Sequence, residues 1–188
     1  MIKLKQALAF GGILSDNDIT RVSCFFQPKK LKALEHFQML DTRANTIAFV
    51  ESGIFRYYTI DNDGNDVTKY FIRENQFMVD LESYYSDTLS VEAIQAMVPC
   101  EIYTIKKSEM NALMEEIPNL FIFQKSTTEA QLLNKIKDND FLNFGNSKTK
   151  YLEFMKRYPK LAQQVPQQYI ASYLKITPQS LSRLRKNI

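Results

Sequence analysis

Over the stretch from about Phe25 to Ile105, apolar residues come in short runs, many of them alternating with polar ones, and each run ends at a turn-forming residue. TIAFVES (46–52), GIFRYYTI (53–60), DVTKYFI (66–72), VEAIQAMV (91–98) and CEIYTIKK (100–107) have the length and β-branched or aromatic content of strands. Between the second and third, Asp61-Asn62-Asp63-Gly64-Asn65-Asp66 supplies hairpin chemistry, because Gly and Asn accept a positive φ at little cost. Many short strands joined in this way predict a β-sandwich or barrel. Two helical segments, Lys3 to Ala9 and Asp16 to Cys24, lead into it.

The period changes after Lys107. Ser108 is placed to cap a short helix, and after Pro118 the chain runs to Leu142 without Gly or Pro, which predicts one long helix. Its apolar residues (Leu120, Phe121, Phe123, Ala130, Leu132, Leu133 and Ile136) fall at mixed three- and four-residue spacings around a polar centre at Ser126 to Glu129. Such a stripe packs either on the sandwich or on the same helix of a second copy. The seam with a second copy is favoured, since a helix this long would otherwise expose apolar surface. Phe144-Gly145-Asn146 breaks the helix, Ser147 caps the next, and that one stops at Pro159.

Composition narrows the function classes. With 45% hydrophobic and 24% charged residues the 188-residue chain is ordinary globular protein with no membrane span, and its mixed N-terminus does not read as a signal peptide, so a cytoplasmic location is expected. Two distant cysteines, Cys24 and Cys100, are too few for a zinc ribbon or a four-thiolate cluster and are expected to be buried thiols. A single histidine, His36, disfavours an enzyme, including a cupin-type metal site, and no metal or cofactor is expected. The net charge of +3 hides an asymmetry: from residue 144 onward nine Lys and Arg stand against Glu153 alone, a net +8, which leaves −5 for the remainder. A basic tail on an acidic body suits a nucleic-acid partner.

The tail also carries a motif. Gln167 to Lys186 reads QQYIASYLKITPQSLSRLRK, with the spacing of two short helices crossing steeply around a break in Lys175-Ile176-Thr177. Ala171 is small enough for close approach, and Ile170, Leu174, Ile176, Leu181 and Leu184 are spaced to be buried together. Thr177 is placed to cap the second helix with Pro178 in its first turn. The turn position usually held by Gly is Lys175, a strain of about 1 kcal/mol. Thr177, Pro178, Gln179, Ser180, Ser182, Arg183 and Lys186 are the candidate DNA-contacting residues, because amide, hydroxyl and guanidinium groups near a helix N-terminus match base edges and phosphates.

Nearly the whole chain resembles the Crp/Fnr family of transcription regulators, most specifically through IASYLKITPQSLSRLRK and the preceding KYLEFMKRYPKLAQQVPQQYIASYL, which are similar to the family's Bacteroidetes branch. The resemblance implies an α+β fold: a cyclic-nucleotide-binding-like jelly-roll sensor over 1–115, a dimerisation helix over 116–143 and a helix-turn-helix domain over 144–188. It implies a homodimer on double-stranded palindromic DNA, RNA polymerase as a further partner, and base-facing positions for Pro178, Gln179 and Arg183. Cyclic-nucleotide binders of the family carry Gly-Glu and Arg-Ser pairs around the phosphate. The corresponding positions here are Val79-Asp80 and Ser90-Val91, so the arginine is missing and cyclic AMP is not expected in the usual manner. Asp80, Leu81, Ser90, Val91 and Tyr70 are the candidate effector-pocket residues, and the aromatics Tyr57, Tyr58, Tyr70, Phe71, Tyr84 and Tyr85 either line a pocket or fill the core. The alternative is a ligand-sensing or protein-interaction module of the same fold without specific DNA binding, a reading helped by the lack of residues for a wing after Lys186.

Overall fold

The computed structural model describes residues 1–186. Asn187 and Ile188, the end of the expected C-terminal domain, lie outside the described residues. The chain opens with α1 (Ile2–Leu8), a 3₁₀ turn at Phe10–Gly12 and α2 (Asp16–Phe25). Ser15 and Asp18 start α2 as a reciprocal capping box, each accepting from the other's backbone amide.

Eight strands follow: β1 (Gln27–Leu31), β2 (His36–Gln38), β3 (Thr46–Ser52), β4 (Ile54–Ile60), β5 (Asp66–Arg73), β6 (Phe77–Met78), β7 (Ala93–Ala96) and β8 (Cys100–Lys106). They form two antiparallel four-stranded sheets, ordered β1-β8-β3-β6 and β2-β7-β4-β5. The inner faces meet over Ala48, Val50, Phe55, Tyr57, Ile94 and Ile102, the jelly-roll core. Between β3 and β4 stands Gly53 at φ +110°, where any Cβ would fall inside the van der Waals envelope of Cys100 Sγ, so only glycine fits. A short helix, α3 (Leu81–Ser86), separates β6 from β7.

All five strands read from alternation are present. β1, β2 and β6 escaped that reading because β1 is a mostly exposed QPKKL, while β2 and β6 are three and two residues long, too short for a period to show. Two cap assignments are corrected. α4 (Lys107–Glu116) is preceded by Lys106, whose amide donates to Glu109 Oε2 at 3.0 Å, so Ser108 lies inside the helix. Asn146, with its side chain accepting from Thr149 N at 3.0 Å, caps α6 (Ser147–Arg157) in place of Ser147. Cys100 is buried but Cys24 is exposed, contrary to expectation, because it lies on the solvent side of α2.

The long helix is α5 (Pro118–Asn143). Its N-terminal turns bury Leu120 and Phe123 against α1, α2, α4 and the β3–β8 face, whereas Phe121, Ile122, Leu132, Leu133 and Ile136 are exposed. After α6 come α7 (Pro159–Gln164), α8 (Gln167–Tyr173) and α9 (Pro178–Lys186). Their core of Phe154, Leu161, Ile170, Leu174 and Leu181 is continuous with Ile54 of β4 and Met97 just after β7, so the C-terminal helices are docked on the sandwich.

Candidate functional site

Two regions hold the candidate chemistry: the α8–α9 pair and a cavity between the sandwich and α5.

The helical spacing of apolar residues along α8 and α9 makes the first of these. Ala171 is fully buried, as a close helix crossing requires, and Ile170, Leu174 and Leu181 are buried with it, with Ile176 and Leu184 half-buried at the margin. Ile176 N donates to Ala171 O at 3.0 Å to close the turn. Lys175 takes φ +55°, the left-handed conformation that favours glycine, and so carries the strain expected of it. Thr177 Oγ1 accepts from Ser180 N at 3.1 Å and caps α9.

Of the candidate DNA contacts, Thr177, Pro178, Gln179, Arg183 and Lys186 are exposed, while Ser180 and Ser182 are half-buried. At roughly 100° per residue, Gln179, Ser182, Arg183 and Lys186 share one face. Ser180 points away from that face, and its hydroxyl accepts from Thr177 Oγ1 at 2.9 Å, so it is committed to the cap. Among the described residues, Arg183 and Lys186 have no salt bridge.

The cavity has a volume of about 280 Å³, near the lower end of the small-molecule range. One end is apolar, with the buried Leu8, Phe26, Leu120 and Phe123, and the other carries Tyr57, Tyr70, Glu92, Gln131 and Lys135. Tyr57 and Tyr70 are register partners on β4 and β5, and their rings stack at 4.3 Å. Burial pushes both phenols well above their usual range. Lys135 Nζ lies 3.4 Å from the Tyr70 ring centroid, and burial brings its ammonium down to about 8.

Among the expected pocket residues, Asp80, Leu81 and Tyr70 line the cavity. Ser90 is buried one hydrogen bond behind, and Val91 is 61% exposed and outside it. Sequence reasoning missed the contribution of α5. Gln124, Thr128, Gln131 and Lys135 recur at spacings of four, three and four residues, and this polar stripe was legible only as an interruption of the apolar one. The aromatics have different fates: Tyr57 and Tyr70 line the cavity, Tyr84 joins the core, and Phe71 meets Tyr173 of α8 at 5.3 Å. Tyr58 faces Arg56, and Tyr85 is 62% exposed.

Asp80 is held by hydrogen bonds from α3 and from Ser90. Its Oδ1 caps α3 by accepting from Ser83 N at 3.1 Å, and its Oδ2 accepts from the Ser90 hydroxyl. The two cassette positions therefore close on each other, and no arginine is among the cavity-lining residues.

The other face of β4 and β5 carries the contact with α8. Alternation places Arg56 opposite in direction to Phe55 and Tyr57, and α8 covers it. The Arg56 guanidinium donates to Asp66 Oδ1 and Oδ2 at 2.5 and 2.6 Å and to Gln95 Oε1 at 2.8 and 3.0 Å. Tyr58 and Tyr169 sandwich it at 4.1 and 3.7 Å. Thr68 N donates to Ser172 Oγ at 2.9 Å, a direct bond from sandwich to α8. His36, whose Nε2 is 2.9 Å from the Tyr58 hydroxyl, is held below the usual imidazole range by burial and then by Arg56.

Residues 29–117 match the cyclic nucleotide-binding domain family. FixK2 from Bradyrhizobium japonicum superposes with a TM-score of 0.73 at 16% identity, covering 86% of this chain and 83% of that one. The c-di-GMP responsive global regulator CLP of Xanthomonas campestris gives 0.72 at 13% identity, covering 92% and 91%. The chain has the Crp/Fnr fold. A third example of this fold, the Thermus thermophilus catabolite activator protein, gives 0.59 at 14% identity over 96% of this chain and 85% of that one. No curated protein matches by sequence. The α+β Crp/Fnr architecture expected from the sequence, with jelly roll, long helix and C-terminal helices, is therefore present. No helix among the described residues is long and apolar enough to cross a membrane.

Proposed function

We propose that the chain is a cytoplasmic, non-enzymatic, sequence-specific DNA-binding regulator that acts as a homodimer and does not respond to cyclic AMP in the usual manner. The observation that carries the reading is the stripe of Gln179, Ser182, Arg183 and Lys186 on a Thr177-capped helix within a module of net charge +8. Arg183 is the base reader, since bidentate pairing with guanine suits an unpaired guanidinium on that face. Exposed Lys148, at the start of α6, neutralises phosphate.

The dimer follows from α5. Phe121, Ile122, Leu132, Leu133 and Ile136 are exposed within an arc of about 120° on that helix, and a second copy would cover them. Pairing there would hold two recognition helices roughly 34 Å apart, the separation of successive major-groove faces. A chain that stays monomeric at micromolar concentration with and without DNA would overturn this.

Selection from a randomised duplex pool at near-physiological salt, read by fluorescence anisotropy and sequencing, tests the whole reading. A palindromic site is expected, with binding unchanged by cyclic AMP or cyclic GMP. On that site Arg183→Ala should weaken binding by about 1–3 kcal/mol and relax one base position, whereas Lys148→Ala should lower the salt slope by about one and leave sequence preference intact. Equal, sequence-independent losses from both would remove Arg183 from base reading. One observation favours the second reading, a module without specific DNA binding: α8, the helix that would cross the DNA backbone, is docked on β5. A pool that enriches nothing under any condition supports it.

A further inference from the structure

The cavity differs chemically from end to end. Its buried end is hydrocarbon, and about 18 Å along α5, twelve residues on, stands Lys135. Between them Gln124, Thr128 and Gln131 are half-buried, face the cavity, and make no side-chain hydrogen bond among the described residues. The Lys135 ammonium has no salt bridge there either, its close neighbours being the rings of Tyr70 at 3.4 Å and Tyr57 at 5.8 Å. A half-buried cation beside three idle polar side chains is an arrangement awaiting one anionic group.

We propose that this cavity takes a monocarboxylate with a hydrocarbon body, its carboxylate at Lys135 and its apolar end against Leu120 and Phe123. The charge count limits the ligand to one negative charge. Asp80, Glu82 and Glu92 also line the cavity, and only Asp80 and Glu92 are engaged, Asp80 by Ser90 and the α3 amide, Glu92 by Lys69 at 2.5 Å. A phosphate dianion would meet these carboxylates with a single ammonium in support, whereas a carboxylate needs no more than that. The inference rests on reading the sandwich and α5 as a sensor and is independent of DNA binding.

Protonation gives a second handle. The groups facing Lys135 are Tyr57 on β4, Tyr70 and Lys69 on β5, Glu92 before β7 and Asp80 before α3. Burial is the largest influence lowering the ammonium, Lys69 adds to it, Glu92 and Asp80 oppose it, and the net result is about 8. The anion binds the protonated form, so affinity should fall as pH rises through about 8, with a proton taken up on binding above that value.

Isothermal titration calorimetry of the full chain with decanoate, decanol, decyl phosphate and cyclic AMP, without DNA, tests the proposal. Decanoate should bind about tenfold more tightly than decanol, the difference expected of one charge-assisted hydrogen bond, and more tightly than decyl phosphate or cyclic AMP. Lys135→Gln should abolish the preference while leaving decanol binding and the circular dichroism spectrum unchanged, and Lys135→Arg should keep it. Equal affinity for acid and alcohol, no binding of decanoate, or tighter binding of cyclic AMP would each overturn it. Since no DNA is present, a failed operator selection leaves this result standing, and the reverse also holds.

Discussion

Arg56→Met should lower the unfolding free energy by about 3 kcal/mol, measured by urea denaturation followed by far-UV circular dichroism. The guanidinium is 2% exposed and holds three partners at once, so a methyl thioether of similar length removes donors from Gln95 Oε1 and Thr68 Oγ1 inside the protein. Asp66 limits the loss: its side chain is 38% exposed and rehydrates, which keeps the cost at the lower end of the roughly 3–5 kcal/mol typical of a broken buried pair. Arg56→Lys should recover little, because an ammonium cannot bond both Asp66 oxygens and stack between Tyr58 and Tyr169. A further readout separates this site from ordinary core damage. Amide exchange in α8 should rise in Arg56→Met before the sandwich loosens, because Tyr169 loses the cation it covers. Unchanged exchange in 167–173 would show that α8 is held by its apolar contacts alone.

Phe154→Ala should cost about 3–5 kcal/mol. The ring is fully buried at the centre of the C-terminal core, tilted against Tyr158 at 5.5 Å and Tyr173 at 5.8 Å, and its removal leaves a cavity that three helices and the sheet face cannot jointly collapse. The denaturation midpoint should fall with little change in slope. Arg183→Ala, on the solvent face of α9, should stay within about 0.5 kcal/mol of the parent. That contrast distinguishes loss of DNA affinity through unfolding from loss of a contact. If Phe154→Ala were equally mild, the C-terminal helices would not share one core.

Much of this was legible because it is local. Thr177 and Pro178 mark the start of α9 by their own side-chain chemistry, and Lys175 was identified as strained simply from its place in the turn, which the φ of +55° matches. The strands with four or more alternating positions were found, and those too short to show a period were not. The caps at Ser108 and Ser147 failed for a related reason. Both are good capping residues one or two positions too late, and whether a neighbouring Lys106 or Asn146 takes the role depends on where the preceding strand or loop delivers the backbone.

The candidate sites divide along the same line. Residues on one short helix kept their relation, since Gln179, Arg183 and Lys186 are neighbours by helical geometry alone. The pocket did not. Tyr70 and Asp80 were named from one segment, but the Lys135 that gives the cavity its charge lies more than fifty residues further along, and only the packing of α5 across the sandwich brings it to Tyr70. The role of Arg56 was hidden in the same way, inside a strand whose alternation marks it as outward-facing. Its burial depends on α8, more than a hundred residues away, folding back over it. What the sequence determined by itself was the longer periodic strands and helices, the Thr177 cap of α9, the turns marked by their own residues, and the uneven charge, all settled within a few residues or by composition. What only the tertiary structure decided was which outward faces become covered and which polar groups are left without partners, because burial is a property of the surfaces that meet and no short window of sequence contains both.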